Sequence, residues 1–168
     1  VYGATGFTGQ LICEYLSQHE DVSNLKWGIA GRDKLKLEKL SNKYGSNIFV
    51  GDSFNLPSLD NFTSQTKLVI STVGPYSLYG KKLVESCVNN QCHYLDLTGE
   101  PEFVNFVENN FSKEAQDKNV ILKNCCGFES IPPDIGVYYT IKQLKENNAQ
   151  INTFLKTRGK ISGGTWAS

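Results

Sequence analysis

Residues 3–9 read Gly3-Ala4-Thr5-Gly6-Phe7-Thr8-Gly9, and this glycine-rich turn directly follows the apolar pair Val1-Tyr2. Helical periodicity begins immediately after the turn, so the three parts form the head of a βαβ unit. Glycines there let the backbone turn tightly and approach a pyrophosphate, which binds the free N–H groups at the positive end of the helix. We therefore expect a dinucleotide site, although such turns also serve simply as helix caps. The predicted ligand contacts in this turn are Gly3, Thr5, Gly6, Phe7, Thr8 and Gly9.

The rest of the chain alternates apolar strand patterns with amphipathic helix patterns. Strands are predicted at residues 1–2, 27–30, 48–50, 68–73, 93–97 and from 120 onward. Helices are predicted at about residues 9–19 and 34–44, around 83–88, and from Pro101 and Pro132, with a polar loop around Pro57. Right-handed crossovers place such helices on both faces of a parallel sheet. The predicted fold class is α/β, a doubly wound parallel sheet of the Rossmann type.

The predicted Rossmann domain spans residues 1–130. Residues 131–168 are predicted to hold a connecting helix, an extended stretch from Ile151 to Thr157, and the beginning of a truncated second α/β domain for substrate binding or dimerisation. The lack of Met and the abrupt ends indicate part of a longer protein. The first and last helices are expected to bury the following side chains: Leu11, Ile12, Tyr15 and Leu16, and Ile135, Tyr138, Ile141 and Leu144.

Composition excludes several classes of protein. Hydrophobic residues make up 39% of the chain and charged residues 20%, as in ordinary globular proteins. Lys plus Arg and Asp plus Glu both number 17, so no net positive field is available for nucleic acid. No apolar stretch approaches the roughly 20 residues that span a bilayer. Five cysteines without a Cys-x-x-Cys pair argue against a metal site, and Cys125 and Cys126 are predicted to be buried free thiols of an intracellular protein.

The end of the second predicted strand indicates which dinucleotide binds. Gly31-Arg32-Asp33 lies where a carboxylate usually holds the ribose 2′-hydroxyl of NAD. Arg32 can instead pair with a 2′-phosphate, and Lys34 adds charge nearby, so NADP is favoured; the alternative is a solvated loop arginine. Asp52, after the third strand, is placed to recognise the adenine amino group, or it serves only in a turn.

Two further strand ends should face the glycine-rich turn across the switch point of the sheet. Small residues after the fourth strand would clear a path for the cofactor, or they simply end the strand. After the fifth strand, Asp96 and Glu100 are expected near the nicotinamide or as caps of the following helix. The predicted cofactor contacts after the fourth strand are Thr72, Val73, Gly74 and Pro75.

These segments together resemble the saccharopine dehydrogenase-like oxidoreductases, a family related to trans-acting enoyl reductases. The resemblance rests on segments in a fixed order: residues 2–9, Ile29-Ala30-Gly31-Arg32, 73–76 with Tyr79-Gly80, 94–100, 126–134, and Gly163-Gly164-Thr165-Trp166. It implies an N-terminal NADP-binding domain followed by an α/β domain that covers the cofactor, supplies much of the substrate pocket and forms any homodimer. It also implies a lipid-type substrate and a role in lipid metabolism as possible properties, and an intracellular location that is either cytoplasmic or peripherally associated with a membrane or lipid droplet.

Three functions are compatible with these observations. The first is hydride transfer between NADPH and an imine, carbonyl or enoyl substrate. Its candidate catalytic residues are Tyr76, Tyr79 and Glu100. The second is a non-catalytic nucleotide-binding module that acts at a lipid surface or on a partner. The third is a short-chain dehydrogenase that uses Tyr138 and Lys142, which have the Tyr-x-x-x-Lys spacing but lie on a helix whose Tyr138 is expected to face the core.

Overall fold

The computed structural model describes residues 1–20, 24–144, 148–156 and 158. The helices are α1 Phe7–Gln18, α2 Lys34–Tyr44, α3 Leu56–Thr63, α4 Tyr76–Tyr79, α5 Lys81–Asn89, α6 Pro101–Asp117 and α7 Ile131–Gln143. The strands are β1 Gly28–Gly31, β2 Asn47–Val50, β3 Leu68–Ser71, β4 His93–Asp96 and β5 Leu122–Lys123. Elements alternate along the chain as the sequence predicts.

All pairs among the described strands run parallel, and Tyr2 joins the two parts of the sheet. Tyr2 bridges Ala30 of β1 on one side and Ser71 of β3 on the other. β2 pairs with β1, and β3, β4 and β5 follow in order on the far side. The spatial order therefore places the first half of the chain on one side of Tyr2 and the second half on the other, which confirms the predicted doubly wound sheet.

Helices cover both faces of this sheet, and each face has its own core. Ile29 and Ala30 are neighbours in β1, yet they belong to different cores because successive strand residues point to opposite faces. Ile29 packs with Cys13 of α1 and Leu37 of α2. The larger core, which contains Ala30, is formed mainly by α3, α5 and α6; its largest fully buried side chains include Phe62, Tyr94 and Phe103.

The predicted polar loop around Pro57 is wrong, because these residues form helix α3. Pro57 lies in its first turn, where the missing N–H of proline has no helical partner to lose. The Asn55 side chain accepts a hydrogen bond from the Ser58 amide and so caps the helix. Leu59 and Phe62 are both buried, and they anchor α3 in the larger core.

The predicted buried faces of the first and last helices are also wrong. In α1 the buried residues are Gly9 and Cys13, whereas Leu11 and Tyr15 are exposed. Helix α7 buries none of its described residues, and Tyr138 on it is 59% exposed. The reason is the same in both cases: periodicity identifies an apolar face but not the element that covers it.

Three other predictions about the second half of the chain have different outcomes. Cys125 and Cys126 are free but only half-buried, because they lie in the connection after β5 rather than within a strand. Residues 151–156 form neither helix nor strand, while Thr157 and Gly163-Gly164-Thr165-Trp166 lie outside the described residues.

No helix in the described part of the chain is long and apolar enough to cross a membrane.

Candidate nucleotide-binding site

A cavity of about 520 Å³ opens at the carboxyl edge of the sheet. Its walls come from the residues that follow four neighbouring strands: the stub at Tyr2, β1, β2 and β3. Ligands of doubly wound folds bind at this edge, where the strand order reverses. The lining residues are Tyr2, Gly3, Thr5, Gly6, Phe7, Thr8, Gly31, Arg32, Asp52, Ser53, Phe54, Thr72, Val73, Gly74, Pro75 and Tyr79.

The glycine-rich turn forms the floor of the cavity, and two of its glycines are required by geometry. Gly3 has a φ of +83°, and a β-carbon there would lie 2.6 Å from Val73 Cγ2. A β-carbon on Gly9 would lie only 2.3 Å from the Gly3 carbonyl oxygen, so Gly9 lets α1 pack against the turn from beneath. Gly6, the N-cap of α1, supplies no side-chain cap. Phe7 and Thr8 of the first turn of α1 line the cavity, and the free backbone amides of such a turn can bind an anion.

Arg32 lies exposed at the cavity wall, directly after β1. The neighbouring Asp33 carboxylate accepts a hydrogen bond from the Lys36 amide at 3.1 Å, which lowers the pKa of Asp33 and caps α2. Lys34 does not line the cavity, and its ammonium group lies 3.8 Å from the Glu38 carboxylate. Arg32 is thus the guanidinium that faces the cavity, while the adjacent charges serve α2.

The loop after β2 forms a second wall and is held by several hydrogen bonds. The Asp52 carboxylate accepts from the Phe54 amide at 2.8 Å, so Asp52 makes a turn as well as lining the cavity. Ser53 Oγ lies 2.8 Å from the hydroxyl of Tyr2. Burial raises the pKa of Tyr2, which keeps this phenol neutral. The Lys82 ammonium donates to the Phe54 carbonyl at 2.8 Å.

The segment after β3 closes the cavity opposite the glycine-rich turn. The Thr72 hydroxyl donates to the carbonyl oxygens of Tyr2 and Gly3, at 3.1 and 3.2 Å. Val73, Gly74 and Pro75 complete this wall. The structure therefore brings every predicted cofactor contact to the cavity except Gly9, which lies beneath it; their contact with the cofactor stays a prediction.

The three predicted catalytic residues lie in different environments. Tyr79 lines the cavity, but Tyr76 and Glu100 do not. Tyr76 is buried: its hydroxyl donates to the Ser71 carbonyl at 3.1 Å and accepts from the Leu97 amide at 3.3 Å. Burial raises the pKa of Tyr76 far above its usual range. This phenol therefore spans the ends of β3 and β4.

Glu100 caps a helix, although not the one that follows it in sequence. Its carboxylate accepts from the amides of Tyr76 and Ser77, at 2.7 and 2.8 Å, and from the Ser77 hydroxyl at 2.5 Å. It thus caps α4, whereas it makes no side-chain cap at the start of α6. This arrangement positions α4 and the cavity wall before it, and a contact of Glu100 with the nicotinamide stays a prediction.

Asp96 also turns away from the cavity. Its side chain is fully buried; Oδ1 accepts from the amides of Thr98 and Cys125, and Oδ2 accepts from the Asn124 side chain. Burial raises the pKa of Asp96. Cys125 has a φ of +59°, so this carboxylate secures an irregular connection after β5. The connection leads to α7.

Four cavity residues were missed by sequence reasoning: Tyr2, Gly31, Ser53 and Phe54. All four flank the carboxyl ends of predicted strands. Their position next to the strand ends could have identified them as cavity residues, because the carboxyl ends of neighbouring parallel strands share one edge of a sheet.

The cavity combines three features that a phosphorylated dinucleotide needs: a glycine-rich turn at a helix N-terminus, a volume of about 520 Å³, and an arginine in its lining. The family model of the saccharopine dehydrogenase NADP-binding domain matches residues 1–124. The chain belongs to this family. NADP is therefore its cofactor, as Arg32 predicts, and the Rossmann fold agrees with the family.

Relatives and solved structures are consistent with this family assignment. The saccharopine dehydrogenase-like oxidoreductase of Mus musculus is 36% identical over 100% of the chain, which covers 44% of that protein. A lipid droplet localized protein of Caenorhabditis elegans is 34% identical over 97% of the chain and 40% of its own length. A Mycobacterium tuberculosis protein named as a trans-acting enoyl reductase is 34% identical over 100% of the chain and 42% of its length. The chain thus spans less than half the length of these relatives.

Among solved structures, apo saccharopine dehydrogenase (L-Glu forming) of Saccharomyces cerevisiae superimposes with a TM-score of 0.70. The identity is 18%, over 84% of this chain and 30% of that one, so the likeness concerns the fold.

The Tyr-x-x-x-Lys pair, Tyr138 and Lys142, lies on α7, away from the cavity. The Lys142 ammonium rests 4.6 Å from the centre of the Tyr138 ring, and neither residue lines the cavity.

Proposed function

We propose that this protein is an NADP-dependent oxidoreductase that transfers a hydride between NADPH and the C=N, C=O or activated C=C bond of a small or lipid-type substrate. The observation that carries the proposal is the cavity itself, which is lined by the first turn of α1 and by Arg32. Family membership supports the same cofactor. NADPH supplies the hydride when bound; the acceptor carbon gains it, and the neighbouring N, O or C atom gains a proton.

The described residues contribute binding and orientation. The α1 amides would hold the pyrophosphate, and Arg32 would hold the 2′-phosphate, both as charge-assisted contacts. Thr72 fixes the wall after β3 to the glycine-rich turn through its two hydrogen bonds. Tyr76 and Glu100 support this wall from behind, since both hold α4 in place. We therefore assign Tyr76 and Glu100 to positioning.

The test is turnover of NADPH, followed at the absorbance of reduced nicotinamide, with a panel of imines, carbonyls and enoyl thioesters of increasing acyl length. We expect oxidation of NADPH with one substrate class and a much slower reaction with NADH. Double replacement of Gly3 and Gly6 by valine should abolish it, because a β-carbon on Gly3 would lie 2.6 Å from Val73 Cγ2 and so distort the turn that lines the cavity. Tight NADPH binding without turnover across the panel would contradict the proposal.

A second candidate is a nucleotide-binding module that acts without catalysis at a lipid surface. It is favoured by one observation: Tyr76 and Glu100, two of the three predicted catalytic residues, lie outside the cavity. The similarity to a lipid droplet localized protein supports a lipid surface as its site of action. Flotation with phosphatidylcholine-coated triacylglycerol droplets, with and without NADPH, separates the two functions. Nucleotide-dependent flotation without turnover would favour the module.

A further inference from the structure

We propose that the ring of Phe54, braced by Tyr79, is the platform on which the adenine base of NADP stacks. Phe54 is a large apolar side chain that remains 56% exposed, yet it lines the cavity instead of packing into either core. An exposed ring on the wall of a nucleotide-sized cavity offers a flat surface to a flat ligand. The proposal rests on the proposed function, because it assumes that the bound nucleotide is NADP.

The backbone of Phe54 is held on both sides, which keeps the ring at the cavity wall. Its amide donates to the Asp52 carboxylate at 2.8 Å, and its carbonyl accepts from the Lys82 ammonium at 2.8 Å. The next amide, of Asn55, donates to the Asp52 carbonyl at 2.9 Å. An ordered platform loses little conformational entropy when a base stacks on it, so more of the stacking free energy appears as affinity.

Tyr79 supplies the brace. Its ring lies edge-on to Phe54, with centroids 5.4 Å apart and an interplanar angle of 62°. This geometry places the positive edge of one ring against the negative face of the other. The contact joins α4 to the loop after β2, so both walls would meet the same base. Tyr79 then acts by positioning Phe54, and not as the proton donor that its place in the sequence suggested.

The position of Arg32 locates the base at this end of the cavity. The 2′-phosphate and the adenine are carried by the same ribose, so they lie within a few ångströms of each other. Arg32 follows β1 and Phe54 follows β2, and these strands are direct neighbours, with Gly31 opposite Val50. A nucleotide whose 2′-phosphate contacts Arg32 therefore has its base within reach of Phe54.

The test is calorimetric titration with 2′,5′-ADP, which carries the adenine and the 2′-phosphate but no nicotinamide. Loss of base–aromatic stacking should weaken binding by Phe54→Ala roughly ten- to a hundredfold. Phe54→Leu, which keeps apolar surface without a ring, should lose most of the same affinity. Phe54→Trp should remain within about threefold of the parent, and its indole fluorescence should be quenched by 2′,5′-ADP. Tyr15→Ala is the matched control, because Tyr15 is also 56% exposed and lies outside the cavity.

Outcomes separate this proposal from the proposed function. Parent-like binding by Phe54→Ala, with weakened binding by Arg32→Ala, would overturn the platform and leave NADP binding intact. Full rescue by Phe54→Leu would also overturn it, since apolar contact alone would then suffice. Failure of the parent protein to bind both 2′,5′-ADP and NADPH would overturn both proposals. For Tyr79→Ala we expect a raised KM for NADPH with little change in kcat, whereas a lost proton donor lowers kcat by roughly 10²- to 10⁴-fold.

Discussion

Replacing Arg32 with alanine should weaken NADPH binding and leave NADH binding unchanged. Arg32 is exposed at the cavity wall, and its sequence neighbours Asp33 and Lys34 are engaged in capping α2 and in an ion pair with Glu38. The guanidinium is therefore available to a 2′-phosphate. A hydrogen-bonded contact between charged groups contributes about 1.5 to 3 kcal/mol, which corresponds to roughly a ten- to hundredfold change in Kd. Solvent screening at this exposed site favours the lower end.

Nucleotide fluorescence measures the effect directly. NADPH and NADH are titrated into the parent protein, Arg32→Ala and Lys34→Ala at fixed ionic strength. Lys34→Ala is the matched control, because it removes a positive charge two positions away from a side chain that does not line the cavity. We expect Lys34→Ala to bind NADPH within about twofold of the parent, since an exposed charge acting at a distance is largely screened. Circular dichroism establishes that all three proteins fold alike.

Three results would refute the reasoning. Equal weakening of NADPH and NADH would mean that Arg32 supports the fold of the site and does not contact the 2′-phosphate. Unchanged binding of both would place the 2′-phosphate away from the end of β1. Loss of affinity in Lys34→Ala equal to that in Arg32→Ala would assign selectivity to net charge in place of a specific contact.

Three further predictions concern the supports of the site. Glu100→Ala leaves the Tyr76 and Ser77 amides without their acceptor, so it should lower the free energy of unfolding by about 3 kcal/mol in urea titration. The control Glu102→Ala, at an exposed position, should change this free energy by less than about 0.5 kcal/mol. Equal effects of the two substitutions would contradict the capping role of Glu100. Gly9→Ala should lower the free energy of unfolding by about 1 to 3 kcal/mol through overpacking, and it should also weaken NADPH binding. A variant with parental stability and parental affinity would contradict the close packing of α1 against the turn. Because burial raises the pKa of Asp96, the unfolding free energy should fall as pH rises from about 4 through that raised pKa. Asp96→Asn should reduce this fall, and identical pH profiles of the parent and the variant would contradict the raised pKa.

Much of the fold follows from local sequence. Helix α2 has the bounds that its periodicity predicts, since Asp33 caps its start and Gly45, with a φ of +65°, ends it. Strands β1, β3 and β4 lie within a residue or two of their predicted positions. Helix α3 departs from the loop predicted around Pro57, because Asn55 caps its start and proline is compatible with a first helical turn.

The sequence by itself determined the glycine-rich turn, the order of strands and helices, and the position of Arg32 at the end of the second predicted strand. Each of these depends on residues that lie within one turn or one strand of each other, so spacing is sufficient to predict them. Such patterns also identified the segments that reach the carboxyl edge of the sheet.

Only the tertiary structure decided which side chains at that edge face the cavity. Glu100 reaches back to Tyr76 across 24 positions, and Phe54 meets Tyr79 from a different strand connection. Both contacts depend on how the elements pack, and a strand-end side chain can turn either way with the same spacing. The burial of Asp96 also depends on tertiary packing. Besides the nearby Thr98 amide, its hydrogen-bond donors are Asn124 and Cys125, which come from the connection after β5.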